Sequence, residues 1–406
     1  MNSDLPPSRP SILCINGGSS SIKFAVYAFG PPMQRLLYGQ IDRIGQAHAR
    51  LTCRHVASQA RESQDLATGE HALAVQALMD WLPQQPELAG LAGIGHRVVH
   101  GMRHMEPEPV TPVLLDELRG IQMHDPDHLP GEIALIEALA LRYPHLPQVA
   151  CFDTAFHSHM PRVARMLPLP RYLEGRGLQR YGFHGLSYAY LMEELARLAD
   201  PAAIRGRVVL AHLGSGASMA AVLDGVGIDT TMGFTPNSGL PMGTRSGDVE
   251  PGVLNYLQRV EQMSGSQIDD MLNHASGLRG VSETSADMRD LLALEATDTR
   301  AAEAVAMVCY QARKCVGAYA AALGGLDTLV FAGGVGEHAA PVRERICAGL
   351  GFLGIEIDAT RNAAHEHVIS TSTSRVTVRV IRTDEEQMIA RSVSRVMGLG
   401  HAEVVS

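Results

Sequence analysis

The sequence lacks the features that would place a protein in a membrane or send it out of the cell. No stretch of 18 uninterrupted apolar residues occurs among the 406 residues, so we expect no membrane-spanning helix. The N-terminus contains no basic segment followed by an apolar run, and it therefore does not resemble a secretion signal. These absences predict a cytoplasmic protein without a membrane partner.

Paired cysteines and an excess of positive charge are also missing. The six cysteines are scattered and no CxxC occurs, which disfavours a disulfide framework or a zinc site. The net charge of −9 disfavours a nucleic-acid partner, because nucleic-acid binders normally present a basic face. An anionic small substrate stays compatible with this charge, since Arg and His can be concentrated locally.

The length and the order of the predicted elements indicate two related α/β halves. A chain of 406 residues is too long for one ordinary core, and 46% hydrophobic with 19% charged residues is typical of a globular protein. Strands and helices alternate in both halves, as expected for a mixed α/β architecture. The long loop 227–251 is rich in Gly, Thr, Pro and Met, and its length points to a functional role.

One pattern occurs twice, 196 positions apart. Residues 12–26 (ILCINGGSSSIKFAV) and 208–222 (VVLAHLGSGASMAAV) each read as a strand, a Gly/Ser turn and a second strand. Small residues at 18–20 and 214–216 allow backbone N–H groups to approach an anion closely. Either turn alone is most simply an ordinary hairpin, but the recurrence favours a duplicated phosphate clamp with a nucleotide between the halves.

Four polar clusters supply residue types suited to phosphoryl transfer. They are GHRVVHG (95–101), FDTAFHSHMP (152–161), RYGFHGLSY (180–188) and MGTRSGDVEPG (242–252). Their Arg side chains can bind carboxylate or phosphate bidentately, and their His side chains can donate to the transferring oxygens. An Asp such as Asp153 or Asp248 can hold a metal ion or its waters.

The usual nucleotide-binding motifs are absent. The chain has no GxxxxGK[ST], and it has no HRD and DFG pair, so it is neither a P-loop enzyme nor a protein kinase. Residues 331–346 (FAGGVGEHAAPVRERI) predict a strand, a glycine turn and the start of a helix, with an incomplete GxGxxG. This segment could receive a nucleotide phosphate or ribose at the helix N-terminus, or it is a plain tight turn.

Taken together, the motifs resemble those of the acetate kinase family, in the actin-like ATPase and sugar-kinase superfamily. The resemblance runs from about residue 11 to about residue 397. Nine motifs follow in family order: INGGSSSIKF, GHRVVHG, FDTAFHxxMP, RYGFHGxS, HLGxGAS, DTxMGFTP, GxxMGTRSGD, GGVGE and TDEExxIAR.

The resemblance implies an α/β fold of two duplicated actin-like (ribonuclease H-like) domains. Each domain would have a mixed sheet flanked by helices, with an interdomain cleft. We expect the first domain at 11–152 plus a C-terminal helix at 386–400. The second, at 153–385, would carry the nucleotide side and the dimer contacts.

The resemblance also implies a reaction and its alternatives. Acetate kinases transfer the γ-phosphoryl group of ATP to acetate reversibly and in line, giving acetyl phosphate and ADP, with magnesium or alternatively manganese, and they are homodimers. A kinase for propionate or another short-chain carboxylate and a non-catalytic actin-like ATP-binding regulator are the alternatives. An ordinary sugar kinase is disfavoured, because the implied acyl pocket is apolar.

Roles carry over residue by residue where the motifs match. The catalytic positions are Arg97, Asp153, His184 and Arg245. The carboxylate and its acyl group would contact Arg97, Val99, His124, Phe183 and Pro236. The metal positions are Asn16, in the first turn, and Glu385, in TDEE. The nucleotide positions are Lys23, His212, Leu213, Gly214, Ser215, Gly216, Asp287, Met288, Arg289, Gly334, Val335, Gly336, Glu337 and His338.

Three residues depart from the family pattern, and one role needs refinement. Ser215 and His338 stand where Asn is usual, which bears on the choice of phosphoryl donor, and Met123 stands where the acyl pocket usually has Leu. Because a carboxylate nucleophile is already ionised at neutral pH, no general base is needed. We therefore interpret Asp153 as an orienter of the metal or its water.

Overall fold

The computed structural model describes residues 9–18, 20–30, 32–46, 48–66 and 69–398. Ser19 of the first predicted turn and residues 399–400 of the predicted C-terminal helix lie outside the described residues. The chain divides into two compact units. Unit 1 extends to Ala155 and resumes at Asp384, and unit 2 is Phe156–Thr383. Asp153 and Glu385, which the boundaries expected from the sequence assign to the second domain, therefore lie in unit 1.

Among the described residues, unit 1 has eight strands and unit 2 has five. Those of unit 1 are β1 (Ser11–Gly17), β2 (Ile22–Ala28), β3 (Gln34–Asp42), β4 (Ala49–His55), β5 (Arg61–Leu66), β6 (Leu91–Val98), β7 (Glu108–Pro109) and β8 (Gln148–Phe152). Those of unit 2 are β9 (Arg207–Leu213), β10 (Ala217–Leu223), β11 (Val226–Thr230), β12 (Thr328–Ala332) and β13 (Thr377–Val380).

The two sheets share one five-stranded arrangement. The sheet of unit 1 has the order β5-β4-β3-β2-β1-β6-β8-β7, and that of unit 2 has the order β11-β10-β9-β12-β13. In both, a three-stranded antiparallel meander continues through its first strand into two parallel strands. The repeat seen in the sequence is thus the β1–β2 hairpin and its counterpart, the β9–β10 hairpin.

The helices are numbered in chain order, with α1 to α3 and α15 in unit 1. They are α1 (His71–Trp81), α2 (Pro112–Ile121), α3 (Leu129–Arg142), α4 (Arg162–Arg165), α5 (Arg171–Glu174), α6 (Gly185–Arg197), α7 (Pro251–Arg259), α8 (Gly265–His274), α9 (Gly277–Ser282), α10 (Met288–Leu294), α11 (Thr299–Leu323), α12 (Gly333–His338), α13 (Ala340–Cys347), α14 (Ala359–Ala363) and α15 (Glu385–Val396). None of the helices in the described ranges is both long and apolar enough to span a membrane.

The central strands lie in the core of each unit because they are apolar on both faces. Every residue of β1 is buried, and β9 is buried apart from its partly exposed first residue and His212. In unit 1 the side chains of α1 and α3 pack over the meander, where Trp81 lies against Phe24 with ring centroids 5.3 Å apart. Continuous buried sequences such as those of β1 and β9 are typical of strands that are covered on both faces of the sheet.

Two local expectations differ from the structure. GGVGE does not form an open turn, because helix α12 begins directly after β12. Gly333 makes the sharp entry with φ +76°, where a Cβ would lie 2.6 Å from the Leu213 carbonyl oxygen. The loop 227–251 contributes its first residues to β11, and 231–250 contains no regular element.

Candidate active site

The carboxyl ends of β1, β6 and β8 bring together the predicted site residues of unit 1. These three parallel strands are neighbours in the order β1-β6-β8. Asn16 lies near the end of β1 and pairs with Lys23 of β2, Arg97 lies near the end of β6, and Asp153 directly follows β8. Asn16 was expected in the turn but belongs to the strand, because the hairpin pairing continues to Gly17.

Arg97 and Asp153 form a buried, charge-assisted pair. Nε and Nη2 of Arg97 donate to the Oδ2 atom of Asp153 at 2.9 and 2.6 Å, and Nη1 donates to the Gly17 carbonyl oxygen at 2.9 Å. The exposed fraction is 14% for the Arg97 side chain and 1% for that of Asp153. Burial and Glu385 raise the pKa of Asp153, while the Arg97 guanidinium counteracts them. The guanidinium thus has a fixed orientation.

The first turns of α15 face Asn16. The Nδ2 amide of Asn16 donates to Glu385 Oε2 at 2.9 Å and to Glu386 Oε1 at 3.0 Å. Burial raises the pKa of Glu386, and the charge of Lys23 lowers it. Lys23 itself is exposed. Glu386 is a residue that the sequence reasoning missed, although it directly follows the predicted Glu385.

The oxygen atoms here suit a magnesium ion that keeps most of its water. Within the described ranges, no cluster of three His, Cys, Asp or Glu side chains is arranged to hold a metal ion. Magnesium needs no such cage, since it usually takes one or two carboxylates together with waters and substrate phosphates. The buried Oδ1 of Asp153 accepts no hydrogen bond from the described residues, so it can orient a metal-bound water. These residues therefore fit the implied cation.

Val99 and His124 complete the predicted residues of unit 1. Val99 is buried, and its backbone N–H donates to Glu132 Oε2 at 2.8 Å. The ring of half-buried His124 lies edge-on to His100 at 6.2 Å, and its Nδ1 is 3.0 Å from the Ile121 carbonyl oxygen. Met123, beside it, is 79% exposed.

In unit 2, His184 occupies a strained backbone position at the start of α6. It is the N-cap residue with φ 57°, in the left-handed region that costs a non-glycine residue free energy. Its Nδ1 is 2.8 Å from Ser218 Oγ, and its ring stacks on His212 with centroids 4.3 Å apart. Ser187 Oγ lies 2.8 Å from the Nδ1 of His212. The two predicted histidines therefore form one layer, held by serines that the sequence analysis did not assign.

Arg245 and His184 both approach the second Gly/Ser turn. A Cβ built on Gly216 would lie 3.4 Å from His184 Nε2 and 3.8 Å from Arg245 Nη1. Arg245 Nη1 also donates to the Pro236 carbonyl oxygen at 3.1 Å. Exposed Ser215 accepts the N–H of Gly243 through its carbonyl oxygen at 3.1 Å. A guanidinium, an imidazole and a backbone turn thus converge, which suits stabilisation of a phosphoryl group.

Phe183 is fixed by a buried histidine. It is 1% exposed, and His157 Nε2 lies 3.0 Å from its carbonyl oxygen. Because a carbonyl only accepts, His157 donates from Nε2, and burial lowers its pKa to about 4. Gly182, just before Phe183, has φ +77°, and a Cβ there would lie 2.6 Å from His157 Cδ2.

Helix α12 lies next to the second Gly/Ser turn, residues 214–216. A Cβ on Gly214 would lie 3.9 Å from the Gly334 nitrogen. Glu337 Oε1 accepts the backbone N–H groups of Gly333 at 3.0 Å and Thr383 at 3.2 Å. Among the other predicted nucleotide positions here, Leu213 and Gly336 are buried, Val335 is partly exposed and Gly334 is exposed, and His338 has a 76% exposed side chain. The structure therefore brings the Gly/Ser turn and α12 together.

Asp287, Met288 and Arg289 lie at the start of α10. Asp287 caps α10, accepts the Arg289 N–H at 2.8 Å and pairs with the Arg289 guanidinium. Met288 is buried, whereas the Arg289 side chain is 88% exposed. A Cβ on Gly243 would lie 3.1 Å from the carbonyl oxygen of the preceding Ala286, so this segment borders the residues around Ser215.

Known proteins match this chain over almost its whole length. A model of the acetokinase family matches residues 11–391. The chain belongs to the acetokinase family. An acetate kinase of Rhodopseudomonas palustris is 44% identical over 391 residues, covering 95% of this chain and 98% of that protein. A propionate kinase of Citrobacter rodentium is 40% identical over 391 residues, covering 95% and 96%.

A solved structure agrees with this acetokinase assignment. The crystal structure of a Porphyromonas gingivalis acetate kinase superposes with a TM-score of 0.86 at 34% identity, covering 96% of this chain and all of that one. The predicted family and the predicted α/β fold with two actin-like halves are confirmed. As a member of the acetokinase family, the protein is an enzyme of the kinase class.

Proposed function

We propose that this acetokinase catalyses reversible, magnesium-dependent transfer of the ATP γ-phosphoryl group to acetate, giving acetyl phosphate and ADP. The observation that carries the proposal is the placement of guanidinium groups and backbone turns in a family whose relatives are acetate and propionate kinases. The phosphoryl group would pass directly and in line to a carboxylate oxygen. Such a transition state needs positioned cations rather than covalent catalysis.

The charged residues have distinct roles in this proposal. Arg97, oriented by Asp153, holds the carboxylate, and Arg245 with His184 stabilises the charge on the transferring group. Magnesium, when bound, would neutralise phosphate charge near Asn16, Glu385 and Asp153. Because acetate is already ionised, Asp153 orients the cation or its water and accepts no proton.

The nucleotide would contact the second Gly/Ser turn and α12. Residues 214–216 are glycine, serine and glycine, so a phosphate can approach the backbone of this turn closely. Beside the first turn, Lys23 supplies a cation from β2, opposite Asn16. Buried Met219 of β10 stands at the position in the repeat that matches Lys23. The two turns are therefore unequal, and Ser215 and His338 are the residues that bear most directly on donor preference.

Hydroxylamine trapping of acyl phosphate tests the proposal. Purified protein is incubated with ATP, magnesium and a series of carboxylates, and the hydroxamate is measured. We expect acetyl hydroxamate that depends on protein, ATP and acetate together. An absence of product with every acid would refute the proposal and support a non-catalytic ATP-binding regulator.

A propionate kinase is the second candidate, and a specific observation favours it. A relative at 40% identity is a propionate kinase, and the proposed acyl-group residues Val99 and Phe183 are apolar and buried. An apolar pocket discriminates one methylene group by only about 1–3 kcal/mol. The ratio of kcat/KM for acetate and propionate in the same assay separates the two candidates.

A cytoplasmic homodimer is part of the proposal. Exposed apolar side chains on and beside α7, at Val253, Tyr256 and Val260, offer a surface that a second copy would cover. Sedimentation of the purified protein tests the dimer, and a monomer at assay concentration would contradict it.

A further inference from the structure

Glu132 is a buried carboxyl group for which the proposed mechanism has no role. It lies in the first turn of α3 and is 3% exposed. Carboxyl groups are seldom buried to this extent unless they are paired or hydrogen-bonded. Its partners in the structure are both proposed to contact the substrate.

One carboxyl group holds two elements of the carboxylate site. Oε2 of Glu132 accepts the backbone N–H of Val99 at 2.8 Å, and Oε1 lies 3.5 Å from Nη1 of Arg97. The Nη1 of Arg97 also donates to the Gly17 carbonyl oxygen. Helix α3 packs closely here, since a Cβ on Gly17 would lie 2.8 Å from Leu135 Cδ1 and 3.6 Å from Glu132 Cγ.

The contacts of Arg97 show what Glu132 contributes to the position of the guanidinium group. Its Nε and Nη2 are directed to Asp153, so Nη1 carries the contacts that set the rotation of the guanidinium plane. Val99 follows Arg97 by two residues, at the point where β6 has ended. A group that fixes both the guanidinium and the Val99 backbone therefore fixes their mutual position.

We propose that Glu132 is a positioning residue that sets the distance between the carboxylate-binding Arg97 and the acyl-contacting Val99. The inference rests on the function proposed above. It assigns to α3 a role in the recognition of short carboxylates, through Arg97 and Val99 rather than by contact with the substrate. Misplacement of a binding group by about 1 Å can cost up to about a hundredfold in rate.

Substitutions that keep or remove each contact test this role. Glu132→Leu removes both contacts, and Glu132→Gln keeps an acceptor for the Val99 N–H with the same side-chain length. Burial raises the pKa of Glu132 to about 8, so a neutral amide is a close match at neutral pH. Glu137→Gln is the matched control, because that side chain is on the same helix, 45% exposed, and pairs with Arg119.

We expect the substitutions at Glu132 to change the KM for acetate and to leave the KM for ATP nearly unchanged. Glu132→Leu should raise the acetate KM about tenfold or more and change the acetate-to-propionate kcat/KM ratio, while the ATP KM stays within about twofold. Glu132→Gln should restore the acetate KM to within about threefold of wild type, and Glu137→Gln should match wild type. A merely structural role would lower the active fraction and leave both KM values unchanged.

Three results would overturn the inference. They are an unchanged acetate KM in Glu132→Leu, an equal rise in both KM values, and an acetate KM in Glu132→Gln as high as in Glu132→Leu. If Glu132→Leu fails to fold, Glu132→Asp decides, since its shorter side chain cannot reach both partners; an unchanged acetate KM there overturns the inference. Wild-type protein without acyl phosphate would instead refute the proposed function itself.

Discussion

Removal of the Arg97 guanidinium should destabilise unit 1 as well as abolish turnover. In Arg97→Ala the carboxyl group of Asp153, with a side chain 1% exposed, loses the guanidinium that donates two hydrogen bonds to it. Breaking a buried ion pair by deleting one partner costs about 3–5 kcal/mol, because the other charge stays buried. We expect a loss of this size in the free energy of unfolding at pH 8.

The loss should shrink in acid. Burial raises the pKa of Asp153, and deletion of Arg97 removes the largest influence that opposes this rise. A group whose pKa is raised in the folded state stabilises the fold below its unfolded pKa and loses this contribution as the pH rises. The variant should therefore be closer to wild type at pH 6 than at pH 8.

Trp81 provides the assay, since it is the single tryptophan of the chain and lies in unit 1. Urea unfolding followed by its fluorescence reports on the unit that contains Arg97. Arg119→Ala is the control, because its ion pairs with Asp116 and Glu137 are exposed and worth at most about 1 kcal/mol. Equal stability of Arg97→Ala and the control at pH 8 would refute the reasoning.

Four further substitutions test other residues. Arg245→Ala should lower turnover about a thousandfold or more in the hydroxamate assay with unchanged circular dichroism, and near-normal turnover contradicts its role. Gly182→Ala, at φ +77° and with its Cβ 2.5 Å from Thr230 Cγ2, should cost about 2–4 kcal/mol in urea unfolding; a neutral effect would show that the turn relaxes. Burial lowers the pKa of His157 to about 4, so the neutral ring stabilises the fold above pH 6.5. This contribution of about 3 kcal/mol to the free energy of unfolding is lost as the pH falls through 4. His157→Gln should therefore weaken the dependence of stability on pH in acid. Ser215→Asn should change the KM for ATP and leave that for acetate unaltered, and equal changes in both would remove Ser215 from the nucleotide side.

The sequence predicts the positions at strand ends well, for a physical reason. The run 147–153 predicts a buried strand that ends at an aspartate, so Asp153 has to emerge at the edge of a sheet. The repeated hairpins at 12–26 and 208–222 likewise indicate two similar sheets, and both are observed. Each of these patterns lies within one short segment of the chain, so a single sequence is enough to recognise it.

The partners of those residues are not local, and they escaped prediction. Glu132 contacts Arg97 across 35 positions, and within its own segment it looks like a solvated residue of an amphipathic helix. Ser187 and Ser218 support the histidine layer from different elements. Helix α6 was also missed, because its start lies in the glycine-flanked RYGFHGLSY, which reads as a loop. Tertiary packing determines these contacts, and the hydrophobic periodicity of the sequence does not reveal them.

The most direct test of the central claim is ATP formation from MgADP and acetyl phosphate. The proposed function predicts one ATP for each acetyl phosphate consumed, with acetate as the other product, and loss of this activity in Arg97→Ala and Arg245→Ala. Consumption of acetyl phosphate without ATP, or no consumption at all, would contradict a phosphoryl transfer between a nucleotide and a short carboxylate.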